Sequence, residues 1–189
     1  MKRTFILFYL LILFSLFAEC QTDTTYAFLG LNPSITVEPY YEEGEFDVNI
    51  LPLVYQGNIS RRTDIRLTSL VNLGIRNEHT EITHMGIEMA LPVFVKRKEK
   101  TGTPSSGFFV APVVSLSRNA AAEHSNIGLW LEPGYHLLFD NRIAMSFGLQ
   151  IGTTRFNHDN GIATWGNHVG VKVIIGKWKI EHGDERHSD

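Results

Sequence analysis

The sequence has almost no cysteine: Cys20 is the only one in 189 residues, so no intramolecular disulfide can form. It also lacks an excess of basic residues, since 17 Lys and Arg stand against 20 Asp and Glu, and no basic run is longer than Lys96-Arg97-Lys98. A nucleic-acid partner is therefore not expected, because such partners require a basic surface. Beyond the amino terminus no apolar run approaches 18 residues, which excludes a membrane-spanning helix, and no segment has a convincing helical period.

The amino terminus has the three parts of a secretory signal peptide. Lys2-Arg3 precedes an apolar run of 14 residues, Phe5 to Ala18, and small residues at the −3 and −1 positions place cleavage after Cys20. This run is shorter than the roughly 20 residues of a membrane-spanning helix. We therefore predict a cleaved signal peptide over 1–20. Lipidation of Cys20 is the alternative, which Glu19 disfavours because a small residue is expected before a lipidated cysteine.

The dominant pattern in the rest of the chain is an alternation with a period of two, which is typical of strands with one apolar face. In 64–76 the odd positions are mainly apolar, and the even positions are mainly polar or small. About eight such segments follow one another, separated by turn residues: 34–41, 46–55, 64–76, 84–95, 108–118, 126–137, 143–152 and 168–178. The sequence therefore predicts an all-β fold of eight antiparallel strands.

The two faces of these segments differ in a way that favours a barrel in a membrane. One face is continuously apolar, while the other is polar or small and rich in glycine. Glycine weakens a solvent-exposed strand but fits the crowded interior of a narrow barrel. Aromatic residues near strand ends, among them Phe94, Phe108, Tyr135 and Trp178, are expected to form girdles at the two membrane interfaces.

The signal peptide, the eight segments, the hairpin Glu132 to Arg142 and the closing strand His168 to Trp178 resemble the small outer-membrane β-barrel proteins of Gram-negative bacteria. The resemblance, to the OmpA/OmpX-like architecture, implies an eight-stranded antiparallel up-and-down transmembrane β-barrel over 33–178. It also implies a periplasmic amino-terminal segment over 21–32 and a charged carboxy-terminal tail over 179–189. The implied location is the cell outer membrane. The implied partners are outer-membrane lipid and, during biogenesis, the barrel-assembly machinery.

Three features depart from this pattern, and the first is that such barrels usually end on an aromatic residue, whereas here Trp178 is followed by Lys179 to Asp189. Five prolines lie within strand-like segments and lack an amide donor, so we expect them near rims or at bulges: Pro39, Pro52, Pro92, Pro112 and Pro133. The segment Lys96 to Gly107 would be a longer periplasmic turn than usual. The register of the fourth and fifth strands is therefore the least determined.

Five charged residues fall on the face predicted to line the barrel interior: Glu38, Arg66, Glu88, Glu132 and Lys172. Barrel closure places the strands of Glu38 and Lys172 side by side, and Arg66 and Glu88 lie on consecutive strands. Buried charges persist only when they are paired and hydrogen-bonded, so we predict a polar network that plugs the narrow interior. A gated path or a small-ligand site is the alternative interpretation.

The sequence predicts no catalytic residue, no metal site and no cofactor. His124-Ser125-Asn126 superficially resembles the His-x-Ser-Asn motif of outer-membrane lipid A deacylases, but adjacent strand residues face opposite sides, so His124 is not expected to activate Ser125. His79 and Glu81 are separated from His84 in the same way. Nucleotide loops, zinc spacings and calcium loops are missing from the sequence.

The leading hypothesis is a non-enzymatic outer-membrane barrel with a structural or surface-interaction role. Its predicted interaction surface is the segment 157–166, expected to be the longest outside loop. The candidate residues there are Asn157, His158, Asp159, Asn160 and Trp165. Two alternatives stay open: a soluble periplasmic barrel that binds an apolar ligand, and a lipid-modifying enzyme in the same membrane barrel. An extracellular or periplasmic protein partner is not identified by the sequence.

Overall fold

The computed structural model describes residues 24–33, 35–36, 44–100, 103–119, 124–139, 142–158 and 161–182. The elements in these ranges are strands: β1 Thr24–Leu31, β2 Ile35–Thr36, β3 Phe46–Asn49, β4 Leu53–Asn58, β5 Asp64–Ile75, β6 Thr80–Ala90, β7 Val93–Phe94, β8 Gly107–Asn119, β9 His124–Leu138, β10 Ile143–His158 and β11 Ala163–His182. Within these ranges no helix has the length and apolar character needed to cross a membrane. The predicted signal peptide, Glu38, Pro39, Asp159 and Asn160 lie outside the described residues.

The strands form one closed antiparallel barrel. Eight of them follow one another around the wall in the order β1, β4, β5, β6, β8, β9, β10 and β11, and β11 pairs with β1 to close the ring. The short strands extend this wall, with β2 paired to β3, β3 to β5, and β7 to β8. The predicted all-β, eight-stranded antiparallel up-and-down barrel is thereby confirmed.

The barrel has two ends, which we call proximal and distal. The proximal end carries Thr24 and His182, which are paired with each other. Residues 59–63 connect β4 to β5 at this end, and 95–106 connect β7 to β8. The distal end is the opposite one, where 76–79 connect β5 to β6.

The barrel wall begins earlier and ends later than predicted. β1 lies within the segment 21–32 that the sequence places before the barrel, and β11 continues past Trp178 to His182, into the predicted tail 179–189. The two extensions pair with each other, for example Phe28 with Trp178. Each supplies backbone hydrogen-bond partners to the other, and β1 is also paired on its other side with β4.

Side chains alternate between the interior and the exterior along the wall. β5 buries Asp64, Arg66 and Thr68 in the interior, while the apolar side chains point outward. We call this exterior surface the outer apolar belt, and its exposed members include Leu29, Leu31, Leu53, Met85, Ile87, Met89, Val110, Leu116, Leu129, Leu131, Phe147, Leu149, Ile151, Val169, Val171 and Ile175. The barrel is thus largely polar inside, apart from two apolar clusters that include Phe28 and Phe109, and apolar outside.

The described prolines coincide with interruptions of the strand ladder. Pro52 lies between β3 and β4, and Pro92 lies between β6 and β7. Pro112 lies inside β8, at the gap between its pairing with β6 and its pairing with β7. Pro133 lies inside β9 where the pairing with β10 is interrupted. Each proline therefore occupies a place where its missing amide breaks no continuous ladder.

Side-chain hydrogen bonds hold the break between β3 and β4. The Leu53 amide donates to Ser69 Oγ at 3.1 Å, and the Ser69 hydroxyl donates to the carbonyl oxygen of Leu51. Asn49 Oδ1 accepts from the Leu51 amide at 3.1 Å. Backbone groups that the irregular segment takes out of the ladder are thus satisfied by two side chains.

Candidate functional site: the polar lumen

Four of the predicted interior charges lie inside the barrel and form ion pairs across it. Arg66 Nη2 donates to Glu132 Oε1 at 2.6 Å, and Lys172 Nζ donates to Glu88 Oε1. The four side chains are at most 5% exposed. We call these residues, together with Gln150, the central network.

The partners differ from those that strand order suggests. Arg66 on β5 is next to the strand of Glu88, yet its hydrogen-bonded carboxylate is Glu132 on β9. Glu88 on β6 instead receives Lys172 from β11, on the opposite side of the ring. The interior is narrow enough for long side chains to reach across it. The level of each residue along the barrel axis and the length of its side chain therefore select its partner. The predicted neighbour of Lys172, Glu38, lies outside the described residues.

Gln150 joins the two ion pairs, and it is not among the predicted interior residues. Its Nε2 donates to Glu132 Oε2 at 2.9 Å and to Glu88 Oε2 at 3.1 Å, while His168 Nε2 lies 3.3 Å from its Oε1. Gly148 leaves room for this arrangement, because a Cβ there would lie 2.6 Å from Glu132 Oε1. Gln150 could have been found from its even position on β10, because the even positions of this strand face the interior.

A second polar cluster, whose residues are also not among the predicted ones, closes the proximal end. Lys98, in the connection 95–106, is buried and donates to Asp64 Oδ1 at 2.8 Å, to Ser105 Oγ at 2.9 Å and to Asn58 Oδ1. The Ser105 hydroxyl donates to Asp64 Oδ2 at 2.5 Å. The connection therefore folds into the barrel end. Its unusual length was the available signal.

An aromatic cluster lies at the same end of the interior. Phe28 and Trp178 have ring centroids 5.6 Å apart, Phe94 and Phe109 are 5.5 Å apart, and Trp178 Nε1 donates to His136 Nε2 at 3.3 Å. Trp178 and Phe94 are buried, so the prediction that they belong to an exterior girdle is wrong. Both occupy interior positions in the alternation of their strands, which decides the face on which an aromatic side chain lies.

The exterior does carry aromatic residues. Phe108 and Tyr135 form an edge-to-face pair on the outer surface with ring centroids 4.6 Å apart. They are paired across β8 and β9 close to the proximal end. Two of the four aromatic residues named in the sequence analysis therefore lie at an exterior rim.

The distal interior is organised around a buried aspartate. Arg76 Nη2 donates to Asp47 Oδ1 at 2.8 Å, Thr83 Oγ1 donates to Asp47 Oδ2 at 2.8 Å, and His84 Nδ1 lies 3.5 Å from Asp47 Oδ2. The ring centroid of His124 is 6.4 Å from that of His84. In the part of the chain that the structure describes, no group of three or more His, Cys, Asp or Glu side chains is arranged to hold a metal ion.

The histidine of the His-x-Ser-Asn-like segment makes a local contact inside the barrel. His124 Nδ1 lies 2.5 Å from Asn126 Oδ1, with both side chains buried. Ser125 alternates to the other face of β9. The segment therefore brings together a histidine and an asparagine rather than a histidine and a hydroxyl.

The predicted outside loop is shorter than expected. Asn157 and His158 belong to β10 and Trp165 belongs to β11, so only residues 159–162 separate the two strands. That it is the longest outside loop stays a prediction, because most of the stretch between β2 and β3 lies outside the described residues. Trp165 is 63% exposed and stands 5.9 Å from the Arg155 guanidinium. The interaction role of this region stays a prediction.

Fold and lumen together define the class: a closed eight-stranded β-barrel with a polar, charge-paired interior, consistent with the OmpA/OmpX-like fold. Comparison with protein-family models, with curated proteins and with solved structures finds no match to this chain.

Proposed function

We propose that this chain is a non-enzymatic outer-membrane β-barrel protein with a structural or surface-interaction role and an interior plugged by its own side chains. The observation that carries the proposal is the outer apolar belt, which surrounds a polar interior. Exported monomers rarely expose so much contiguous apolar surface to water, whereas lipid tails accept it.

The closed wall supports the same location. A bilayer core offers no water to unpaired backbone groups, so a sheet can reside there only if its edges meet. β11 pairs with β1, and Ser69 and Asn49 satisfy the break between β3 and β4. A soluble barrel with an apolar ligand would turn its apolar face inward, which is the opposite arrangement.

The plug follows from the contacts of the central network. Its hydrogen bonds connect β6 with β11 and β5 with β9, so they cross the lumen instead of following the wall. Lys98 and the aromatic cluster occupy the proximal end. Each charge is compensated, which suits a permanent filling better than an ion path.

The proposed function places the interaction surface at the distal end, around Trp165. Signal-peptide export, insertion by the barrel-assembly machinery and contact with outer-membrane lipid belong to the same proposal. The lipid-modifying enzyme is the alternative. It would need a nucleophile and a base on one face, and His124 and Ser125 lie on opposite faces.

The deciding experiment is cell fractionation combined with gel migration in detergent, with and without boiling. Recovery in the outer membrane with a heat-dependent shift supports the proposal, because a closed barrel stays folded in the unboiled sample. Recovery in the soluble periplasmic fraction without a shift overturns it.

The plug has its own test. Wild-type protein in a planar bilayer is expected to give no discrete conductance. Reproducible current steps that disappear when the protein is left out would contradict a filled lumen and favour the gated path.

A further inference from the structure

The barrel wall is recessed on one side. The outward side chains of β5 are only half-buried, while those of the flanking strands are exposed, and a groove of about 460 Å³ lies over them. Six outward-facing side chains line it: Leu29, Leu53, Tyr55, Leu67, Ser69 and Ile87. The Ser69 hydroxyl is engaged with the backbone of the strand break, so the surface offered by the groove is apolar.

Cations stand directly beside this groove. Leu29 is paired with Tyr55 on one side and with Lys177 on the other, and Lys179 is paired with Ala27, two positions nearer the proximal end. Lys177 and Lys179 are exposed and lie on the same outward face as Leu29. One edge of an apolar groove therefore carries two ammonium groups.

The other exposed charged residues described at the proximal end are also mainly basic. Its exposed cations, among the described residues, are Arg61, Arg62, Lys96, Arg97, Lys100, Arg142, Lys177 and Lys179. The exposed carboxylate described at this end is Glu99. Among the described residues, an anion that approaches the groove from the proximal side meets more exposed cations than carboxylates.

We propose that the groove is a binding site for one anionic phospholipid, which places an acyl chain along Leu53, Leu67 and Ile87 and its phosphate at Lys177 and Lys179. This inference rests on the proposed membrane location. Charge complementarity selects an anionic headgroup over a zwitterionic one, since each juxtamembrane cation favours an anionic lipid by about five-fold in affinity. The groove restricts the site to one position on the wall, which a diffuse basic rim would not do.

The test uses the full chain in vesicles and a tryptophan reporter in the groove. Ile87→Trp places the reporter at the groove, and Leu131→Trp places a matched reporter elsewhere on the outer apolar belt. The quenching lipids carry brominated chains on either phosphatidylglycerol or phosphatidylcholine, and each reporter is read against the parent chain. The groove reporter is expected to be quenched at about five-fold or more lower fraction of phosphatidylglycerol than of phosphatidylcholine, with no such preference at Leu131→Trp.

Charge variants identify the headgroup contacts. Lys177→Gln combined with Lys179→Gln is expected to abolish the preference at the groove reporter. The control pair Lys96→Gln and Lys100→Gln removes the same charge from the connection 95–106 and is expected to leave the preference in place. Equal loss in both pairs would mean diffuse attraction and would overturn the site.

Failure of the inference differs from failure of the proposed function. If neither reporter is quenched by either lipid, the wall does not contact lipid and the membrane location fails. If both reporters are quenched and neither distinguishes the headgroups, the membrane location stands and the lipid site is overturned.

Discussion

Charged side chains persist in the lumen because each one meets an opposite charge, and Glu88, Glu132 and Lys172 also have further hydrogen-bond partners. Arg66 and Glu132 are each 1% exposed, so neither has water to replace the other. Removing one partner of a buried pair leaves an uncompensated charge and typically costs about 3–5 kcal/mol, while replacing both with apolar groups is often close to neutral. At the scale of single residues, stability depends on compensation more than on charge itself.

Arg66→Met should therefore lower the free energy of unfolding by about 3–5 kcal/mol, measured by urea titration in vesicles. Arg66→Met combined with Glu132→Leu should recover a large part of this loss, because no lone carboxylate remains. Lys100→Met, which removes an exposed cation, serves as the control and should change stability by less than about 0.5 kcal/mol. A double variant as unstable as the single one would show that packing, and not compensation, accounts for the loss.

Ser69 has a different role, on the outer side of the wall. Ser69→Ala removes the hydroxyl that accepts from the Leu53 amide and donates to the Leu51 carbonyl, so these two backbone groups keep only their hydrogen bond to each other, at 2.9 Å. We expect a loss of about 0.5–1.5 kcal/mol in the free energy of unfolding in vesicles. Ser69→Thr should retain most of the stability. Ser125→Ala, a matched change at another outward serine, should have little effect, and an equal loss there would refute a specific role for Ser69.

At the scale of elements, the alternation predicted which face of each strand lies inside, because period two follows directly from strand geometry. It placed Arg66, Glu88, Glu132 and Lys172 in the interior, where the structure has them. It did not predict which of them would pair, since a face assignment fixes neither height nor reach across the lumen. β1 was missed for a related reason: Tyr26 and Phe28 make its inward face apolar as well, so no contrast between faces marks it as a strand.

The buried contacts of the connection 95–106 were not predicted, because a loop has no periodicity that indicates where its side chains point. Lys98 looks like its exposed neighbours in the sequence, yet it is the buried partner of Asp64. Long-range contacts of this kind become visible only once the two strands flanking the connection have been placed in the barrel. The length of the connection indicated a role beyond reversing the direction of the chain, but it did not indicate which role.

Lys98→Met should loosen this connection, because Asp64 would remain buried without its cation. The readout is limited trypsin digestion of the folded protein, with cleavage after Arg97 and Lys100 expected to become at least several-fold faster. Glu99→Gln changes an exposed charge in the same connection and should leave the rate unchanged. Combining Lys98→Met with Asp64→Asn should restore part of the protection. If Lys98→Met digests at the wild-type rate, the buried contact does not hold the connection in place.

At the scale of the whole molecule, the barrel has the inverse polarity of a water-soluble protein. Its interior holds ion pairs and amides, and its exterior holds large aliphatic side chains. Apolar burial on folding in water would therefore be confined mainly to the interior aromatic cluster, and the favourable transfer of the outer apolar surface has to come from the surroundings. The stability of the folded barrel therefore depends on whether its exterior lies in a membrane or in water.

Leu149→Lys tests the membrane location with a single substitution. Leu149 lies near the middle of β10 and is 41% exposed on the outer apolar belt, so a lysine there would face the centre of a bilayer. Lysine at the midplane of a membrane barrel costs about 2–4 kcal/mol, falling to about 0–1 kcal/mol near the interfaces. Ile162→Lys, which makes the same change at an exposed position between β10 and β11, is the matched control. We expect urea titrations in vesicles to give a loss of about 2–4 kcal/mol for Leu149→Lys and at most about 1 kcal/mol for Ile162→Lys. In water both lysines would be hydrated, and both changes would have little effect on stability. Equal and small effects would therefore contradict the membrane location, and the outer apolar belt would require some other partner.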